Sequence, residues 1–157
     1  MRVRASFREW LSGSYWRLDA PTDERPIRVD LEAHTEDLAA LVRDRDSTWN
    51  LAGTIDAEGL AAGRPLEGTL GFRWAGEGRI RYRFGFTGDD GRRYELSGQK
   101  EFSKLNPFES VTLLAARLFD EAGEEVARIT LRFDLRADWA RWMKNVSAGI
   151  GREERRR

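Results

Sequence analysis

Apolar and polar residues alternate along most of this chain. Ile27, Val29, Leu31 and Ala33 interleave with Arg28, Asp30 and Glu32, and Trp49, Leu51, Gly53 and Ile55 repeat the arrangement. Leu66, Gly68, Leu70, Phe72 and Trp74 share one parity of the next run, and Ile80, Tyr82, Phe84 and Phe86 then oppose Arg79, Arg81 and Arg83. Tyr94 and Leu96 resume the pattern, and Ile129, Leu131, Phe133 and Leu135 alternate with Arg128, Thr130, Arg132 and Asp134. A period of two sends successive side chains to opposite faces of a strand, so each run has one wet face and one buried face. Adding a bent first segment near residues 3–18 and a run over 111–119, the pattern predicts about eight antiparallel strands. "AGEG", "GDDG" and "DEAGEE" supply turn chemistry between them.

A meander of that many strands with one apolar face closes on itself or folds into a sandwich. The expectation is a mainly β fold, a closed or nearly closed barrel of the calycin or lipocalin-like kind. Two segments leave the period. "TEDLAALVRDRD" has a cap candidate in Thr35, acids in its first turn and arginines at its end, which predicts a short helix near 35–45. In "DWARWMKNVSAGI", Asp138 can cap while Trp139, Trp142, Met143 and Val146 recur at helical spacing, which predicts a helix near 138–148.

The 157 residues suffice for one domain, expected over 1–150, with a basic tail at 151–157. The 27 basic and 27 acidic residues cancel, which argues against a nucleic-acid partner, whose binder usually carries a basic excess. No Cys is present, so disulfides and thiolate metal sites are excluded. The opening "MRVRASFREWL" alternates instead of forming the apolar core of a signal peptide, and no window approaches the ~20 apolar residues of a membrane span. A cytoplasmic location is expected. The tryptophan face of the C-terminal segment, beside Arg141 and Lys144, allows peripheral membrane contact, but packing on the barrel is the commoner use of such a stripe.

No catalytic motif stands out, and no catalytic residue, metal site or cofactor is assigned. The single His, His34, falls on the polar parity of its strand, and GxSxG, P-loop and GxGxxG patterns are absent. Asp89 and Asp90 sit in a turn, where aspartate bonds local backbone. Four Leu-x-Gly triplets place Gly13, Gly53, Gly68 and Gly98 on the apolar parity. Barrel curvature is their usual meaning, and interior volume for a ligand is the sharper alternative.

Lys100 is the best chemical candidate. If its strand runs unbroken from Arg92, Lys100 joins Tyr94, Leu96 and Gly98 on the inner face, under Tyr82 and Phe84, where it could bind a carboxylate or polarise a carbonyl. A bulge at Gly98, or an early strand end, would return it to solvent. The cost of burying an unpaired charge favours that outward arrangement.

The segments "LAGTIDAEGL", "LEGTLGF", "IRYRFGFTGDDGRRYELSGQKEF" and "ARITLRFDL" together resemble a β-rich accessory domain found in or beside bacterial cholesterol-oxidase-like flavoenzymes of the glucose-methanol-choline group and lipid-related α/β-hydrolases. The resemblance spans about residues 5–136. It carries no flavin-binding part and transfers no catalytic residue, and it implies a setting of sterols or other lipids. The leading expectation is a non-enzymatic barrel that binds or presents an apolar small molecule through Trp49, Phe72, Trp74, Tyr82, Phe84, Tyr94 and Lys100, with Phe86 on the same inner wall. A solid-cored domain docking on an oxidoreductase or hydrolase is the alternative. A small barrel cyclase or isomerase using Lys100 and a tyrosine comes third.

Overall fold

The computed structural model describes residues 4–36, 46–73, 79–101 and 113–132. They form eight strands: β1 (Ala5–Arg17), β2 (Arg25–Thr35), β3 (Asp46–Ala57), β4 (Ala61–Arg73), β5 (Arg79–Thr87), β6 (Arg93–Glu101), β7 (Leu113–Phe119) and β8 (Glu125–Arg132). Each strand pairs antiparallel with its neighbour in sequence, and Ser12–Arg17 of β1 pairs with Ala127–Arg132 of β8 to close the barrel. The predicted closed antiparallel meander is what the chain forms. Residues 37–45 and 138–148, where helices are expected, lie outside the described residues, as do the "AGEG" turn and the tail. Thr35 itself ends β2 with its side chain buried.

Closure sets how far the strands slide past one another. A circuit leaving β1 at Arg17 passes through Ala127, Leu118, Leu96, Phe84, Gly68, Leu51 and Ala33 and returns at Phe7, ten residues away on the same strand. Such stagger forces the strands to tilt, typically by about 35–45° from the barrel axis. It also brings across the interior residues that a flat sheet would keep apart.

The apolar parity fills the barrel. Leu11, Val29, Ile55, Leu70, Leu96 and Leu131 have no accessible surface, so no void wide enough for water borders them. The outward parity is charged, as in the exposed Arg28, Glu32, Arg81, Arg83, Arg117 and Arg128. This is the inverse of a bilayer-spanning barrel, which turns its apolar band outward. Among the described residues no helix is long and apolar enough to cross a membrane.

The strand glycines are sites of close backbone approach. A Cβ built on Gly13 would lie 1.9 Å from the carbonyl oxygen of Thr130, and one on Gly68 would lie 2.0 Å from that of Arg83. Gly53 meets the Asp30 carbonyl in the same way, and Gly98 faces the Ala116 methyl at 2.8 Å. Neighbouring atoms take the space that the missing side chains leave. The glycines therefore serve close approach of neighbouring strands, and the space of a side chain at these positions is not left open for a ligand.

One end of the barrel carries the tight turns. Gly91 and Gly123 adopt left-handed φ of 77° and 78° there, a conformation open to glycine at little cost. Leu60 is buried beneath this end, and the hydroxyl of Tyr15 donates to the carbonyl of Glu58.

Candidate functional site

Lys100 is the penultimate residue of β6, so its direction depends on whether the strand stays in phase through Gly98. Pairing of β5 with β6 runs without a shift from Arg79 opposite Glu101 to Thr87 opposite Arg93. No bulge forms. Lys100 points inward with 1% of its surface exposed, and the outward arrangement is overturned. The premise about unpaired charge was sound, but the charge has a partner. Glu9 of β1 forms an ion pair with Lys100 through Oε1, and the Tyr82 hydroxyl donates to Glu9 Oε2 at 2.7 Å.

The register explains the meeting. Tyr82 stands opposite Gly98, so no side chain of β6 separates its ring from Lys100 two residues on. The ammonium lies 5.0 Å from the ring centroid, within cation–π range. Glu9 arrives from the far side: β1 and β5 lie on opposite sides of the closed order, and only side chains crossing the interior can join them. Each carboxylate oxygen thus receives one donor in a dry setting, and no buried side-chain polar atom among the described residues lacks a partner. Sequence reasoning missed Glu9. Its signal was the same as that of Lys100, a charge on the parity of Leu11, Gly13 and Tyr15.

Burial pushes the Tyr82 phenol well above its ordinary pKa, and the charge and hydrogen bond of Glu9 push it further in the same direction. The phenol is held as a proton donor to Glu9. An acid–base catalyst works best with a pKa near the operating pH, and Tyr82 is displaced away from it.

The expected aromatic set divides between the two ends. Trp49, Leu70, Tyr82 and Gly98 follow one cross-strand row, which puts Trp49 and Tyr82 in the same inward row two strands apart, both buried. Phe72 stands in β4 opposite Ser47 and Ile80, the row that leads to Lys100, and Trp74 lies outside the described residues. Phe84 is buried one level nearer the turns, opposite Gly68 and Leu96.

Tyr94 belongs to the turn end. Its ring stacks on Phe86 with centroids 5.7 Å apart, and its hydroxyl donates to Asp90 Oδ2 at 2.6 Å. Asp90 also accepts from the Arg92 amide, and Asp89 accepts from the Ala62 amide and from Arg64 Nε at 2.8 Å. These bonds, led by those from Arg64 and Tyr94, hold both carboxyls below the usual carboxylate range. The acids tie turns together, as expected.

A concave feature lies on the outer wall. A groove of about 960 Å³ runs from Thr48 of β3 across β4 to β8 and on to Trp16 of β1, lined by Arg81, Arg83, Arg117 and Arg128 together with Trp16 and Phe119. The sequence shows the alternating arginines of β5 but not their alignment with those of β7 and β8. Comparison with known proteins finds no matching family model, no matching curated protein and no matching solved structure.

Proposed function

We propose that this chain is a non-enzymatic, calycin-like binding barrel that receives and presents an apolar small molecule bearing one hydrogen-bonding group, with the Glu9–Tyr82–Lys100 cluster as the polar contact. The observation that carries this reading is the cluster itself. A buried ion pair contributes little net stability compared with apolar residues of similar size, so packing alone gives little reason for two charges inside this core. A carboxyl or hydroxyl of a ligand can exchange with the partners these side chains already hold. The packed middle of the barrel limits depth, so the apolar body of the molecule belongs at the end near Trp49, Ile80 and Lys100. A sterol or acyl chain matches both that chemistry and the lipid setting implied by the resemblance to accessory domains of lipid enzymes.

Native mass spectrometry and thermal melting with a long-chain fatty acid and a sterol test the reading. A stoichiometric adduct is expected, with a rise in Tm, since ligand at a hundredfold excess over Kd adds about 2.7 kcal/mol. The double variant Glu9→Leu/Lys100→Met should fold and lose the adduct. Bare protein mass with an unmoved Tm for both lipid classes would sink the proposal. The outer groove independently favours a docking role.

A further inference from the structure

The groove on the outer wall has an order that strand register reveals. Thr69, Arg83, Ser97, Arg117, Arg128 and Trp16 stand opposite one another in turn from β4 to β8 and on to β1, forming one continuous cross-strand row. Arg81, Gln99 and Thr130 belong to the next row towards the Lys100 end. Arg83, Arg117 and Arg128 keep 71%, 64% and 54% of their side-chain surface exposed. Among the described residues no carboxylate lines the groove.

Neighbouring acids only partly balance these charges. Arg83 bonds Glu95 at 2.6 Å, whereas Arg117 and Arg128 share the single carboxylate of Glu125 at 4.0 Å and 3.0 Å. Arg117 and Arg128 also face each other directly on adjacent strands, an arrangement of like charges that destabilises a sheet. An added carboxylate would relieve it. Guanidinium forks match carboxylates in two-point geometry, and arginine and tryptophan are the residue types that dominate binding energy at protein interfaces. Half-buried Trp16 and Phe119 give the same groove apolar anchors.

We propose that this wall docks an acidic, extended segment of a protein partner, with its carboxylates on Arg83, Arg117 and Arg128 and an apolar side chain against Trp16 or Phe119. Three strand spacings separate Arg83 from Arg128, about 14 Å, the reach of four or so extended residues with alternate acids. Glu67, Glu95 and Glu125 decide against a continuous polyanion. They stand in the adjacent row on the turn side, joined through Gly85 and Phe119. A nucleic-acid backbone or an anionic membrane would meet this acidic row together with the arginines, whereas a peptide with spaced acids avoids it.

Fluorescence polarisation tests the proposal with a labelled peptide of about ten residues alternating glutamate with alanine and leucine, long enough to cross the row. Micromolar binding that weakens with salt is expected, and Arg117→Ser/Arg128→Ser should raise Kd by about tenfold or more. These side chains are exposed and their like charges face each other, so the variant should keep the parent circular dichroism and melt no lower than the parent. A lysine-for-glutamate peptide should not bind. An unchanged Kd in the folded variant, tighter binding of oligo-dT or of phosphatidylserine vesicles, or no binding of the acidic peptide would each overturn the proposal. The interior variant Glu9→Leu/Lys100→Met should bind the peptide like the parent, which separates this wall from the lipid reading.

Discussion

The two ends of the barrel solve the same problem with different chemistry. At the turn end, polar atoms of inward side chains reach out to turns: Tyr15 to a backbone carbonyl and Tyr94 to Asp90, with water nearby to replace a lost partner. At the other end, Glu9, Tyr82 and Lys100 satisfy one another across the interior, each at most 5% exposed. The first arrangement spans 4 residues from Tyr94 to Asp90 and 43 from Tyr15 to Glu58, and it is forgiving because its acceptors lie in turns at the surface. The second joins strands 73 and 91 residues apart, and removing any one member strands the others in a dry core.

The largest test of this contrast is Lys100→Ala. Leaving Glu9 buried without its cation should cost about 3–5 kcal/mol in urea denaturation. The double change Glu9→Leu/Lys100→Met removes both charges and keeps the volume apolar, so its stability should match or exceed the parent. A Lys100→Ala loss no greater than that of Tyr94→Phe would show the pair to be hydrated and would erase the difference between the ends.

A smaller effect separates the two tyrosines. Tyr82→Phe withdraws a donor from a buried carboxylate and should cost about 1.5–3 kcal/mol, whereas Tyr94→Phe should cost about 0.5–1.5 kcal/mol because exposed Asp90 regains water. In the Glu9→Leu/Lys100→Met background the Tyr82→Phe cost should vanish, a non-additivity expected of side chains in one network. Equal costs in both backgrounds would mean that Tyr82 is held by packing and not by Glu9.

How much of this could be read in the sequence follows from what periodicity encodes. Parity names the face of each strand, so the inward Trp49, Tyr82, Phe84, Phe86 and Tyr94 and the closed meander are legible. Parity also places Lys100 inward, and the general cost of burying a charge argues against that only while Glu9, the partner that offsets it, is not in view. Finding its partner needed closure of the barrel. Around Glu9, "FREWL" puts an aromatic residue and a charge on each parity, and only the fold shows Trp10 outside, with Arg8 5.6 Å from its ring centroid. The arginine row was hidden for a related reason. It depends on register between strands, which alternation within a strand does not fix.

The smallest effects come at the extremes of pH, where the two ends should fail in opposite directions. Asp89 and Asp90 are held below the ordinary aspartate value of 3.8, so their contribution is complete above that value and fades as pH falls through the depressed folded ones. Both are exposed and screened, so the turn end should loosen in acid without global unfolding. The protection factors of the Ala62 and Arg92 amides, which donate to these acids, should fall there first. Tyr82 behaves in reverse: its pKa is raised well above 10.0, so its contribution is complete below that value and is lost as pH rises towards the folded one. In an alkaline ultraviolet titration Tyr15 and Tyr94, both also raised, should ionise before Tyr82, and the last step should be missing in Tyr82→Phe. A Tyr82 phenolate forming near pH 10 in folded protein would place water at the cluster and make the two ends alike.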